Sequence, residues 1–286
     1  MSNILQEIEN VLGSPEYSNE FGLIYTMRCE EALGKLLETD IQIDATITSP
    51  PYNIGKEYEK VMPVNEFTEW LISICDQVHG LTKPNGSFLL NVGYLKVDGK
   101  GKAVPITYLL WERVKFFLQQ EIVWNYGAGV AARKFLSPRN EKVLWYIKNE
   151  NDYTFNLDEI RDPDVKYPNQ KKNGKLRCNT LGKNPSDVWQ IAKVTSGKNR
   201  SSAERTNHPA QFPEDLISRM VKGFTNPGDI ILDPFIGSGT TASTAIKNDR
   251  LFLGFEINPK YIPTIVDRLD GTLKELEIEK ATLKLF

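Results

Sequence analysis

Short runs of β-branched and aromatic residues recur along the chain and predict seven β-strands. The runs cover Gly22 to Met27, Ile43 to Thr48, Ser87 to Val92, Glu121 to Tyr126, Lys142 to Lys148, Ile230 to Asp233 and Leu251 to Glu256. Most of them are largely apolar, which is typical of strands buried on both faces of a parallel sheet.

Apolar residues at helical spacing lie between several of the strands. One face is formed by Val64, Phe67, Leu71, Ile74 and Val78, and a second by Tyr108, Trp111, Val114 and Leu118. Towards the end of the chain, FPEDLISRMVKGF, DIILDPF, IGSGTTASTAIK and RLFLGFEI predict helix, strand, turn with helix, and strand, before a helical tail from Tyr261. This alternation predicts an α/β fold with a mainly parallel sheet.

The stretch from about Asn149 to Asn207 interrupts the alternation. It is rich in Lys, Asn, Gly and Ser and is too long for an ordinary connection, which indicates a functional or a disordered insert. Residues 166 to 205 carry ten Lys or Arg against two acidic residues, a net charge of +8. Such a run is often only a solvated loop, but Tyr167 and Trp189 within it suit a groove for phosphates and bases.

Composition narrows the class of protein. A net charge of −2 over 286 residues, with a pI near 5.9, argues against nonspecific coating of polyanions. Neither a membrane-spanning stretch nor a signal peptide is recognisable, so a soluble, cytoplasmic protein without a membrane partner is expected. Cys29, Cys75 and Cys178 lack metal-ligand spacing, so reduced thiols and no metal site are expected.

The predicted strand over Ile43 to Thr48 ends on Ser49-Pro50-Pro51-Tyr52. Proline has no N–H and a fixed φ, so Pro50 and Pro51 end the strand and hold a rigid backbone with free carbonyls. Taken alone, the motif favours a stiff turn at a sheet edge.

A second motif, DPFIGSG from Asp233 to Gly239, follows another buried strand where it turns into a helix. Gly237 and Gly239 allow a ligand to approach the backbone, but the spacing is neither that of a dinucleotide site nor that of a phosphate loop. A nucleoside without phosphates is therefore favoured. Glu256, nineteen residues after Gly237, could accept hydrogen bonds from two ribose hydroxyls, although an exposed strand-end charge explains it equally well.

Together the two motifs resemble those of amino-methylating DNA methyltransferases that use S-adenosylmethionine, over the chain from about Tyr25 to Tyr261. Residues 49–52 resemble the catalytic motif, residues 235–239 the cofactor loop, and His208-Pro209 the motif that precedes this loop. The catalytic motif comes first, a variable segment follows and the cofactor loop comes last. This order is that of the permuted β-group, which contains restriction-modification methylases.

The resemblance implies a Rossmann-like, mainly parallel seven-stranded sheet in a circularly permuted methyltransferase with an inserted recognition segment. Residues 1–148 would form the catalytic half, 149–207 the target-recognition segment and 208–286 the cofactor-binding half. The implied catalytic residues are Ser49, Pro50, Pro51 and Tyr52. The implied cofactor-binding residues are His208, Pro209, Asp233, Pro234, Phe235, Gly237, Ser238, Gly239, Thr240 and Glu256.

Double-stranded DNA is the implied partner, with a cognate restriction endonuclease as a functional one. Basic residues expected to contact DNA are Arg133, Lys134, Arg139, Lys171, Lys172, Lys175, Arg177, Lys183, Lys198 and Arg200. One position departs from the family: many relatives have an acidic cofactor contact where this chain has Arg28, and Glu30 or Glu31 could replace it.

Transfer from a sulfonium to an exocyclic amine is an in-line displacement, so nitrogen, methyl and sulfur must be collinear and water excluded. The Pro50 carbonyl and the Ser49 hydroxyl are expected to accept hydrogen bonds from the amine, and Tyr52 to stack on the flipped base. Asn53, Lys56 and Tyr58 are expected at the mouth of the site, although a solvated helix start explains them as well. Methylation at carbon 5 is excluded because no cysteine follows a proline.

Neither the target base nor the substrate class is fixed by the motifs alone. Within the family, serine at the first motif position is commoner in enzymes for cytosine N4 and aspartate in enzymes for adenine N6, so cytosine N4 is favoured. The chain could also be a methyltransferase for RNA or a protein amide, or an inactive nucleic-acid-binding module. The serine and the basic insert disfavour the former, and the intact cofactor loop and Ser49 disfavour the latter.

Overall fold

A computed structural model describes residues 2–56, 59–127, 132–194, 202 and 204–283. The strands are β1 (Tyr17–Ser18), β2 (Gly22–Tyr25), β3 (Ile43–Thr48), β4 (Thr82–Val92), β5 (Tyr94–Val97), β6 (Gly101–Pro105), β7 (Phe117–Asn125), β8 (Asn140–Ile147), β9 (Lys171–Lys172), β10 (Lys175–Leu176), β11 (Val188–Gln190), β12 (Ile230–Asp233) and β13 (Leu251–Phe255). The α-helices are α1 (Asn3–Leu12), α2 (Cys29–Leu37), α3 (Val64–Leu81), α4 (Thr107–Leu110), α5 (Glu214–Phe224), α6 (Thr240–Lys247) and α7 (Ile262–Leu283). Short 3₁₀ turns cover Leu157–Ile160 and Pro259–Tyr261.

Nine of these strands form one sheet in the order β1-β2-β13-β12-β3-β4-β8-β7-β11. Strands β2, β13, β12, β3 and β4 are parallel, and β8 lies antiparallel between β4 and β7. The predicted α/β class and mainly parallel sheet are confirmed, and all seven predicted strands are present. The predicted strand number is wrong because β1 and β11 extend the edges; with two and three residues they are too short to show a pattern.

Two hydrophobic clusters cover the two faces of the sheet. Along β4, Phe88 and Leu90 belong to the cluster that includes α2 and α3, and Leu89 belongs to the cluster that includes α5 and α6. Successive side chains of a strand point to opposite faces, so a strand buried on both sides is largely apolar, although β3 and β4 also bury Thr46, Thr48, Ser87 and Asn91. This is why the central strands could be found from apolar runs alone.

The predicted helix over Val64 to Val78 is confirmed by α3, but the one from Tyr108 to Leu118 is wrong. Helix α4 ends at Leu110, and Glu112 then adopts a positive φ of 59° that no α-helix accommodates. Tyr108 and Trp111, at 75% and 62% exposure, do not face the core. Within the described part of the chain, no helix has the length and apolar character needed to cross a membrane.

The sheet topology brings several strand ends to one edge. The chain passes from β12 outward to β13 and from β3 outward to β4, so the strand order reverses between β12 and β3. Ligands of open α/β sheets bind beyond the carboxyl ends of the strands at such a reversal. Because β8 is antiparallel, its first residues lie at this edge as well.

Candidate active site

A cavity of about 440 Å³ opens at this edge, between the segments that follow β3 and β12. Both predicted motifs line it, although they are far apart in the sequence. All four residues of the first motif contribute, together with the predicted cofactor-binding residues His208, Pro209, Asp233, Pro234, Phe235, Gly237, Ser238, Thr240 and Glu256. Gly239 instead forms the N-cap of α6, with a φ of +75°.

The loop after the first motif is held by its own polar side chains. Asn53, with a φ of +59°, exchanges two hydrogen bonds with the Met62 backbone, at 2.8 and 2.7 Å. The Glu59 carboxylate accepts hydrogen bonds from three backbone N–H groups of the loop, at 2.8–3.0 Å. Asn53 and Lys56 line the cavity as predicted, whereas Tyr58 lies outside the described residues.

A polar network lies against the motif. Tyr52 Oη is 3.0 Å from Ser49 Oγ and donates a hydrogen bond to Glu141 Oε2 at 2.9 Å. Asn91 Nδ2 donates to Tyr52 Oη at 2.6 Å and to Glu141 Oε2 at 2.8 Å, and Lys193 Nζ donates to Glu141 Oε1 at 2.6 Å. The sequence analysis did not predict Asn91, Glu141 or Lys193 as site residues. Asn91 could have been found, because it is a polar residue near the end of a predicted buried strand.

Asp233, the first residue of the second motif, is hydrogen bonded to the strand that precedes the first motif. Its buried carboxylate accepts hydrogen bonds from Thr48 Oγ1 at 2.5 Å, Thr241 Oγ1 at 2.6 Å and the Phe235 N–H at 3.1 Å. Burial raises the pKa of Asp233 to about 6, although these hydrogen bonds oppose the rise. The side chain therefore joins the ends of β3 and β12 to α6.

The glycine loop, residues 235–239, brings backbone groups close to Glu256. Gly237 has a φ of +53°, and its N–H donates to Glu256 Oε2 at 3.1 Å. The Asn258 N–H donates to Glu256 Oε1 at 2.8 Å, which fixes the carboxylate at the end of β13. Burial raises the pKa of Glu256, although these two hydrogen bonds act to lower it. A side chain at Gly237 would meet His208, because an added Cβ would lie 2.9 Å from His208 Cε1.

An aromatic wall and a carboxylate complete this half of the cavity. The rings of Trp70 and Phe235 pack edge to face, with their centroids 5.7 Å apart. Trp70 Nε1 donates a hydrogen bond to Glu30 Oε1 at 2.7 Å. Burial opposes ionisation of Glu30, but the hydrogen bonds from Trp70 and Arg28 lower its pKa overall. Of the two carboxylates predicted to replace the missing acidic contact, Glu30 lines the cavity, and Glu31 pairs with Lys35.

His208 packs its ring against Tyr261, with the centroids 4.5 Å apart. Its Nδ1 accepts a hydrogen bond from the Ala210 N–H at 3.3 Å. Burial lowers the pKa of His208 to about 4, and the nearby cations Lys56 and Arg268 contribute in the same direction. The ring is therefore neutral near pH 7.

We expect His208→Asn to reduce the sensitivity of the fold to acid. Between pH 6.5 and about 4 the unfolded chain protonates this histidine and the folded chain does not, so its contribution to stability falls as the pH falls through that window. Melting temperatures of wild type and variant, measured across the window, test this. The pKa values of Asp233 and Glu256 are raised and have the opposite effect on stability, but wild type and variant both contain these residues, so the difference between the two proteins reports on His208. Parallel melting curves would contradict the prediction.

The predicted DNA-contacting residues lie on two described surfaces. Arg133 and Lys134 are exposed between β7 and β8, where Arg139 donates to the Gly127 carbonyl at 2.8 Å. Exposed residues of the hairpin β9–β10 and its flank are Lys171, Lys172, Lys175 and Arg177. Lys183 pairs with Asp162 at 3.1 Å. Lys198 and Arg200 lie outside the described residues.

Comparison with known proteins identifies the family. The N6/N4 methyltransferase family, described as DNA methylase, matches residues 43–267. The chain belongs to this DNA methylase family. It is 53% identical over 272 residues to the Type II methyltransferase M.ScaI of Streptomyces caespitosus, covering 95% of this chain and 89% of that protein. It is 33% identical over 250 residues to the DNA adenine methyltransferase YhdJ of Escherichia coli (strain K12), covering 84% and 81%.

Solved structures of DNA methyltransferases have the same fold as this methylase. The PvuII DNA methyltransferase (cytosine-N4-specific) matches with a TM-score of 0.68 at 22% identity, covering 91% of this chain and 90% of that one. The M1.HpyAVI–SAM complex matches with a TM-score of 0.58 at 24% identity, covering 87% and 98%. The predicted family is confirmed. The three-part division of the chain, the permutation and the roles of individual site residues stay predictions.

The cavity of this methylase fits S-adenosylmethionine. Trp70 and Phe235 would offer an apolar wall to the adenine ring, and Glu256 would offer carboxylate oxygens to the ribose hydroxyls. Glu30, which also lines the cavity, would offer a carboxylate to the cationic amine of the methionine part. Gly237 allows close approach of the backbone because a side chain there would run into His208. Trp70, Phe235, Glu256 and Glu30, with the Gly237 backbone, are the groups we expect to hold the cofactor.

Proposed function

We propose that this DNA methylase methylates the exocyclic amine of a base flipped out of duplex DNA, with N4 of cytosine as the target. The observation that carries the proposal is the hydrogen-bond network at Ser49 and Tyr52. Tyr52 has one proton, and the Glu141 carboxylate, which can only accept, takes it at 2.9 Å. In the 3.0 Å contact with Tyr52, Ser49 is therefore the donor. Its oxygen accepts a long hydrogen bond from Asn91 Nδ2 at 3.4 Å and has a second lone pair for an amine.

The motif would act by orientation. S-adenosylmethionine supplies an electrophilic methyl group on a sulfonium sulfur. The Ser49 oxygen and the Pro50 carbonyl accept the two amine hydrogens and direct the nitrogen lone pair across the cavity. Flipping costs a few kcal/mol, and stacking on Tyr52 returns about 1–3 kcal/mol. The basic residues between β7 and β8 and in the insert supply the remaining affinity through phosphates.

Adenine N6 is the second candidate target. It is favoured by the identity of 33% to a protein named DNA adenine methyltransferase. Both amines present two hydrogens, so the acceptors at Ser49 and Pro50 suit either base. We favour cytosine because the first motif position is serine. The similarity to Type II methyltransferases supports a restriction-modification setting with an endonuclease of the same specificity.

Digestion of methylated DNA to nucleosides tests the proposal. Mixed-sequence duplex DNA is incubated with the protein and S-adenosylmethionine, and modified nucleosides are identified by mass spectrometry, with Ser49→Ala as the inactive control. We expect N4-methylcytosine. N6-methyladenine would keep the mechanism and overturn the choice of base. Product on RNA or protein, with none on diverse DNA, would overturn the proposed substrate class.

A further inference from the structure

Glu141 occupies a position at the active site that the motifs did not reveal. It is the second residue of β8, and because Val92 pairs with Lys142 in antiparallel register, Glu141 lies beside the residue that follows β4. Its side chain is only 12% exposed. It accepts hydrogen bonds from Tyr52 in the motif, from Asn91 on β4 and from Lys193 in the insert. Three separate parts of the chain therefore converge on one carboxylate.

We propose that Glu141 is the terminal proton acceptor of the methylation reaction, acting through Tyr52 and Ser49. This inference rests on the proposed function. Glu141 is proposed to act through Tyr52 and Ser49 and not to contact the base. It is therefore a positioning residue that also accepts the proton.

The proton path balances in charge and electrons. As the amine lone pair forms the new N–C bond, the electron pair of the breaking C–S bond leaves with sulfur, and the nitrogen becomes positively charged. An N–H bond then breaks, its electrons stay on nitrogen, and the proton passes to Ser49 Oγ. The Ser49 proton passes to Tyr52 Oη over 3.0 Å, and the Tyr52 proton passes to Glu141 Oε2 over 2.9 Å. A neutral methylated amine and a neutral carboxylic acid remain, and the acid loses its proton to water.

Four further carboxylates line the cavity, and each accepts hydrogen bonds from groups other than Tyr52. Glu59 holds three backbone N–H groups of the motif loop. Asp233 joins strand ends and Glu256 holds the glycine loop, while Glu30 accepts from Trp70 on the opposite wall. Among these five, Glu141 is the one that hydrogen bonds to the motif tyrosine.

The charged and titratable groups facing Glu141 come from three elements. Lys193, which follows β11, also lies 3.8 Å above the ring of Tyr126 at the end of β7. Lys56 and Tyr52 come from the motif loop, and burial, followed by repulsion from Lys193, lowers the pKa of Lys56. Burial and the charge of Glu141 raise the pKa of Tyr126. Two lysine ammonium groups therefore face the carboxylate that the proposal makes the proton acceptor.

Single-turnover kinetics of Glu141→Gln test the proposal. The variant preserves shape but cannot take the proton, so we expect the methyl-transfer rate to fall about 10- to 100-fold, near the lower end of general-base effects because the methylated ammonium is itself acidic. The dissociation constant of S-adenosylmethionine should change by less than about twofold, since Glu141 lies on the motif side. Glu141→Asp should recover part of the rate.

The pH profile and a double variant separate proton transfer from structural support. The wild-type rate should decline on the acid side, as for a reaction that depends on a general base, and the Glu141→Gln rate should be lower but flat there. Tyr52→Phe breaks the same path, so the double variant should be no slower than the slower single variant. An unchanged acid limb in Glu141→Gln, or additive losses, would overturn the inference. Wild-type product in the same assay reports separately on the proposed function.

Discussion

Tyr52→Ala is expected to slow methyl transfer about 10²- to 10³-fold while leaving the affinity for S-adenosylmethionine nearly unchanged. The substitution removes the ring proposed to stack on the flipped base and the hydroxyl that orients Ser49 at 3.0 Å. Both groups belong to the half of the cavity proposed to hold the base. Rates under single turnover, with cofactor affinity measured by dialysis, test the prediction. Comparable losses in both would contradict the division of the cavity into two halves.

Two further variants separate the ring from the hydroxyl. Tyr52→Phe keeps the stacking surface and loses the hydrogen bonds to Ser49, Asn91 and Glu141, so its loss should be smaller than that of Tyr52→Ala. Gly93→Ala leaves every motif residue in place, but its Cβ would stand 2.8 Å from Tyr52 Cε2 and push the ring. It should slow transfer without removing the hydroxyl. A normal rate in Gly93→Ala would contradict the need for a closely fixed ring.

The central sheet and the place of the site could be predicted from the sequence for one physical reason. Strands buried on both faces are largely apolar, and a rigid or acidic residue marks where such a strand ends, as at Pro50 and at Asp233. Parallel strands then bring their carboxyl ends to one edge. Two motifs 184 residues apart in the sequence were thereby expected to share one cavity.

The network behind the motif could not be predicted in the same way. Asn91 and Glu141 are fifty residues apart, and Lys193 is fifty-two residues beyond Glu141. They meet because β8 is antiparallel to β4, and because β11 adds to the sheet edge parallel to β7 and brings Lys193 to the same end. Strand direction and edge pairing depend on backbone hydrogen bonds that leave no periodic pattern, and β11 has only three residues.

Gly237→Ala is expected to weaken the binding of S-adenosylmethionine at least about tenfold, an increase of about 1.4 kcal/mol in binding free energy. The φ of +53° already disfavours alanine by about 1–2 kcal/mol. The added Cβ would also lie 2.9 Å from His208 Cε1, so the imidazole must move from its contact with Tyr261 and the loop must shift relative to Glu256. Cofactor binding measured by calorimetry reports the loss directly.

Gly228→Ala is the matched control for this effect. Gly228 has a φ of +85° but nothing within 4 Å of an added Cβ, so it carries the same type of backbone penalty at a turn remote from the cavity. Both variants should lose stability to a similar extent, and only Gly237→Ala should lose cofactor affinity. Glu256→Gln should lose affinity too, because an amide replaces one acceptor oxygen with a donor towards the ribose hydroxyls. Equal weakening in Gly228→Ala would mean that lower stability, and not the shape of the loop, controls cofactor binding.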